Sequence, residues 1–133
     1  MIGLNQFAYY RELKKLKSLI RTKVIKNMPK AHKYPDALYL KEHLGMIVRL
    51  TAAVAVTDKD DYQAKEEYLK QILFELYLII DEIEEQEEAH IISRDTAADI
   101  YMRIKEIEGQ LAKFRLFFTK KRDSDCSRAS DSV

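Results

Sequence analysis

The stretch Ile100-Tyr101-Met102-Arg103-Ile104-Lys105-Glu106-Ile107-Glu108-Gly109-Gln110-Leu111-Ala112-Lys113-Phe114-Arg115-Leu116-Phe117-Phe118 decides the fold. Ile100, Ile104, Ile107, Leu111, Phe114 and Phe118 are separated by steps of three and four, the spacing that holds one stripe of a helix against the same neighbours. Arg103, Lys105, Glu106, Glu108, Lys113 and Arg115 fill the rest of the circumference, so the opposite side is wet. Burying each seam side chain is worth roughly 1.5–3 kcal/mol, so the stripe must find partners.

Three other segments offer them. Residues 6–27 carry Tyr9, Leu13, Leu16, Ile20 and Val24 on one stripe, and Pro29 stops that helix. A basic link, residues 29–35, is pinned by proline at both ends. The second helix is predicted to start at Pro35 or Asp36 and run to Val56. It has one stripe of Leu40, Leu44, Ile47, Thr51, Val54 and Ala55, and a second of Tyr39, His43, Met46 and Leu50. The third helix, residues 61–88, turns Leu69, Ile72, Leu73, Leu76, Ile79, Ile80 and Ile83 inward and ends in a carboxylate run at residues 82–88. Ser93 is the expected N-cap of the fourth helix, with Asp95 in its first turn. The apolar pattern ceases after Lys120-Lys121-Arg122. The reading is an all-α, antiparallel up-down-up-down four-helix bundle over residues 1–122, followed by a disordered Ser- and Asp-rich tail at 123–133.

Composition agrees. The 133 residues suit one domain, and two prolines with three glycines suit long helices and short loops. No apolar run reaches membrane-spanning length without charges breaking it, and the single cysteine, Cys126, fits a reducing compartment, so the expected location is the cytoplasm with no membrane partner. The net charge of +1 hides an asymmetry: residues 1–30 are net +7 and residues 58–90 net −9.

Catalytic chemistry finds little support in the sequence. A carboxylate-bridged di-metal bundle needs Glu-x-x-His twice, and Glu87-x-x-His90 occurs once, at a helix end. His43 sits within an apolar stripe, as a hydrogen-bonded core histidine does, and there is no glycine-rich phosphate loop. The expectation is a protein without enzymatic activity, metal or cofactor.

Two surfaces carry more information. Lys14, Lys17 and Arg21 form a basic row on the first helix, extended by Lys30, His32, Lys33 and Tyr34. Lys113, Arg115, Lys120, Lys121 and Arg122 add a second basic set. Such rows either balance the acidic third helix or track nucleic-acid phosphates, with Tyr34 available to stack on an unpaired base. Phe74, Tyr77 and Leu78, with Met102 and Phe117 off the main seam, make an outer apolar patch that favours self-association.

Met28-Pro29-Lys30-Ala31-His32-Lys33-Tyr34, the alanine-rich helix end Leu50-Thr51-Ala52-Ala53-Val54-Ala55, Ile92-Ser93-Arg94, and Ile104-Lys105-Glu106-Ile107-Glu108-Gly109-Gln110-Leu111 follow one another in a particular layout. Over about residues 9–118 that layout resembles the four-helix-bundle family containing the accessory variability determinant of diversity-generating retroelements. The resemblance implies a non-enzymatic homopentameric barrel that binds the retroelement reverse transcriptase and nucleic acid, RNA first and DNA as the alternative, in support of mutagenic copying of template RNA. A sister group, encoded in intervening sequences of large-subunit ribosomal RNA genes, shares the bundle. Its Asn-Ile-Ala-Glu-Gly stretch is replaced here by Arg49-Leu50-Thr51-Ala52-Ala53-Val54, so it ranks second. A structural protein-interaction bundle without nucleic acid is the third reading.

Overall fold

The computed structural model describes the backbone of residues 3–131 and the side chains of residues 3–124 apart from His32. Those residues form four α-helices and no strand: α1 (Ala8–Lys23), α2 (Lys30–Val56), α3 (Tyr62–Glu88) and α4 (Arg94–Asp131). Their contacts are those of a bundle. α2 packs chiefly on α3, α3 on α4, and α4 on α1, while α1 and α2 touch only lightly.

The core is the set of stripes read from the sequence. Tyr9, Leu13, Leu16 and Ile20 of α1 are buried with Leu40 and Ile47 of α2. Leu69, Ile72, Leu76, Ile79 and Ile83 of α3 meet Ile100, Ile104, Ile107 and Leu111 of α4. Phe114 joins an aromatic cluster, 5.5 Å from Phe7 and 4.6 Å from Phe118 between ring centroids. Ala55, expected on the inner stripe of α2, is exposed, as is Met46 of the second stripe, and Leu73 and Ile80, expected inward on α3, are only half-buried.

Helix boundaries moved for identifiable reasons. At its start α1 is preceded by a separate 3-10 turn, Leu4–Gln6, because extended Phe7 folds its ring onto Tyr9 and Phe114. At its end α1 stops at Lys23 and tightens into a 3-10 turn, Ile25–Asn27. Pro29 sets that limit by holding Met28 extended.

The larger correction concerns α2. Pro29 caps it, Lys33 N–H bonds to Pro29 O at 2.9 Å, and the helix begins one full turn before Pro35. Pro35 lies within the second turn, where it has no N–H to give to Ala31 O. The expected link is therefore helix.

α4 starts where Ser93 was expected to cap it, and α3 starts just after a capping aspartate. Asp61 Oδ1 accepts from Ala64 N–H at 3.1 Å, and Ser93 Oγ accepts from Thr96 N–H at 3.1 Å. Between them, His90 adopts φ 59°. His90 N–H bonds to Glu87 O and Ile91 N–H to Gln86 O, the paired bonds of a Schellman cap.

α4 runs past Arg122 to Asp131, since no glycine or proline follows Gly109 to stop the backbone ladder. The remainder of the expected tail, residues 132–133, and the side chains from residue 125 on, Cys126 included, lie outside the described residues. No helix among the described residues is long and apolar enough to cross a membrane.

Candidate nucleic-acid interface

The early start of α2 builds the site. Lys30, Lys33, Tyr34, Ala37, Leu38 and Lys41 now follow the i, i+3, i+4, i+7, i+8 rhythm of one helix face. With Ile25 they line a cleft of about 400 Å³. Ile25 and Ala37 are buried and form its apolar floor, whereas Tyr34 is 79% exposed.

A second cleft of about 250 Å³ opens alongside, between α1 and α2. Lys17, Arg21 and Lys41 stand around Leu44 and Gly45 there, and Ile25 and Lys41 belong to both clefts. The light packing of α1 on α2 leaves this groove open. No carboxylate lines either cleft, and among the described residues none of Lys17, Arg21, Lys30, Lys33 and Lys41 forms an ion pair. Lys14 lies one turn before Lys17, with its ammonium 5.5 Å from the Tyr10 ring centroid.

Among the described residues, no base of α1 forms an ion pair with a carboxylate of α3. Three carboxylates of α3 have ion-pair partners, none of them on α1: Glu66 with Arg122 at 2.8 Å, Glu67 with Lys70 at 3.6 Å, and Glu75 with His43. Within α1, Lys15 pairs with Glu12 at 3.1 Å and Arg11 donates to Asn5 O at 2.7 Å, while Lys17 and Arg21 are exposed.

The second basic set is separate. Phe114 packs beside Phe7 and Tyr9, and Arg21 lies twelve residues beyond Tyr9, about 18 Å along the helix. Arg122 is tied to Glu66, and the Arg115 Nε is buried without a partner. The Lys121 ammonium stands 5.7 Å from the Phe117 ring, while Lys113 and Lys120 are exposed. The structure thus brings Lys17, Arg21, Lys30, Lys33 and Tyr34 together and leaves the 113–122 set apart.

Of the proposed interface residues, Phe74, Tyr77, Met102 and Phe117 are more than half exposed and Leu78 is half-buried. Phe74, Tyr77 and Leu78 share successive turns of α3. Met102 and Phe117 are fifteen residues apart on α4, about 22 Å, so the five do not make one compact patch by that helix alone.

Elsewhere, His90 and Glu87 border an open depression with Ser93 and Arg94. No group of three or more His, Cys, Asp or Glu side chains able to hold a metal occurs among the described residues. Sequence reading missed Lys41, which the helical face joins to Lys33 and Tyr34, and it missed the polar seam between α2 and α3. There Gln86 Nε2 donates to Glu82 Oε1 at 2.9 Å and to Asp36 Oδ2 at 3.1 Å, and the Tyr39 ring meets His43 edge-on at 4.2 Å. The carboxylate run at 82–88 gave no sign that Glu82 and Gln86 are buried.

Comparison with protein-family models, curated proteins and solved structures returns no match for this chain.

Proposed function

We propose that the protein is a non-enzymatic bundle that holds nucleic acid, RNA foremost, along the groove between α1 and α2. The observation that carries this reading is the set of five bases, Lys17, Arg21, Lys30, Lys33 and Lys41, none in an ion pair among the described residues, around two clefts that no described carboxylate lines. Lysines and arginines left without protein partners are suited to neutralise phosphates and release their counterions. The retroelement setting, with a reverse transcriptase as partner and a homopentamer as the working form, rests on the resemblance over about residues 9–118, and a cytoplasmic location on the single cysteine. An antiparallel up-down-up-down course suits the Phe7–Phe114, Tyr62–Phe118 and Asp36–Gln86 contacts.

Filter binding of a structured RNA with single-stranded segments tests the proposal. Lys17→Glu/Arg21→Glu/Lys41→Glu is expected to weaken binding broadly while helix content is kept. Lys113→Glu/Lys120→Glu/Lys121→Glu is expected to weaken it far less. Loss confined to the second variant would move the site to the end of α4, and a parent protein that does not bind RNA would overturn the function.

A further inference from the structure

We infer that the cleft at the start of α2 seats an unpaired nucleobase on Tyr34, so that the protein selects single-stranded over duplex nucleic acid. This rests on the nucleic-acid reading above and adds to it the form of the ligand. Three features of the cleft point to a nucleotide rather than to a bare phosphate backbone.

The first is Tyr34 itself. A ring 79% exposed gains nothing from the core of this chain, yet it stands on the same helix face as Lys30, Lys33 and Lys41. The second is the floor. Ile25, Ala37 and Leu38 offer apolar surface beside the ring, with room of about 400 Å³, within the range of small-molecule sites. The third is charge complementarity: the rim carries three ammonium groups and no carboxylate, which suits a flat aromatic base flanked by anionic phosphates.

A duplex cannot use this cleft. Its bases are stacked on one another and paired at their edges, so only its phosphates would reach Lys30, Lys33 and Lys41. A single strand presents free base faces, and stacking on an aromatic side chain tolerates any base. The Lys17–Arg21–Lys41 groove next to the cleft continues the basic track for the adjoining phosphates. The division of labour is that lysines and Arg21 supply attraction for either form, and Tyr34 supplies the preference.

The test is fluorescence anisotropy with a labelled short oligouridylate, alone and annealed to its complement, on the full chain. Tyr34 is exposed and Tyr34→Ala leaves the core untouched, so circular dichroism should match the parent. Tyr34→Ala is expected to lose roughly 5- to 150-fold in single-strand affinity, the range set by base–aromatic stacking, with duplex affinity unchanged. Tyr34→Phe, which keeps the ring, should retain single-strand affinity. Equal losses on both forms, or no loss on the single strand, would overturn the stacking role while parent binding leaves the wider function standing. Failure of the parent to bind either form would remove both.

Discussion

The Tyr9 hydroxyl donates a buried 2.8 Å hydrogen bond to Thr51 Oγ1, joining α1 to the far part of α2, two helices that otherwise meet lightly. Thr51 Oγ1 in turn donates to Ile47 O at 2.8 Å. Burial drives the Tyr9 pKa up to about 12, with the bond to Thr51 opposing, so the phenol stays a donor.

The pair is asymmetric, and that asymmetry is testable. Tyr9→Phe leaves Thr51 bonded to Ile47 and should cost about 0.5–1.5 kcal/mol. Thr51→Val strands a buried phenolic hydroxyl and should cost about 1–3 kcal/mol, while the double variant should be less destabilised than the two single changes added together. Urea unfolding of the four proteins checks this; strict additivity would mean the bond carries no coupling.

His90 occupies the left-handed position of the cap that ends α3, at φ 59°. Glycine adopts that conformation without a Cβ penalty, so His90→Gly should stabilise the fold by about 1 kcal/mol in chemical denaturation. A loss of stability would show that the imidazole makes a contact worth more than the backbone penalty.

Glu82 gives a pH dependence. Burial raises its pKa from 4.5 to about 7, opposed by the bond from Gln86 and helped by Asp36 and Glu85. The folded state holds the proton more tightly than the unfolded chain, so this stabilisation is full below about pH 4.5 and is lost as pH rises to about 7. The loss is on the order of 3 kcal/mol. Glu82→Gln should flatten the stability profile between pH 5 and 8 and exceed the parent at pH 8. A variant that keeps the parent's slope across that window would place the titration elsewhere.

Phe74 and Leu78 lie one turn apart on α3, with Phe74 61% exposed. If this face joins copies of the chain, Phe74→Glu/Leu78→Glu should give smaller particles by light scattering with helix content unchanged. A parent that is monomeric at tens of micromolar would assign the face to another partner.

Much of this architecture was legible in the sequence because buried stripes must repeat at three and four. Ile100 through Phe118 announced α4, and Ser93 announced its start through its capping oxygen. The start of α2 was not legible. Pro35 is best known as a first-turn residue, and nothing local shows that Pro29 already fills the capping place. That single turn of helix is what aligns Lys30, Lys33 and Tyr34 with Lys41. Residues 82–88 read in the sequence only as a carboxylate run, whereas Glu82 and Gln86 are buried, with Gln86 bonded to Asp36 on a different helix.

The slope of log affinity against log salt concentration tests the central claim most directly, since it counts the phosphates neutralised. For single-stranded RNA each engaged base contributes about 0.7 to its magnitude. The parent and Lys17→Glu/Arg21→Glu/Lys41→Glu should therefore differ by about 2, the variant being the flatter. Equal slopes would contradict the account, because the groove between α1 and α2 would then hold no phosphate.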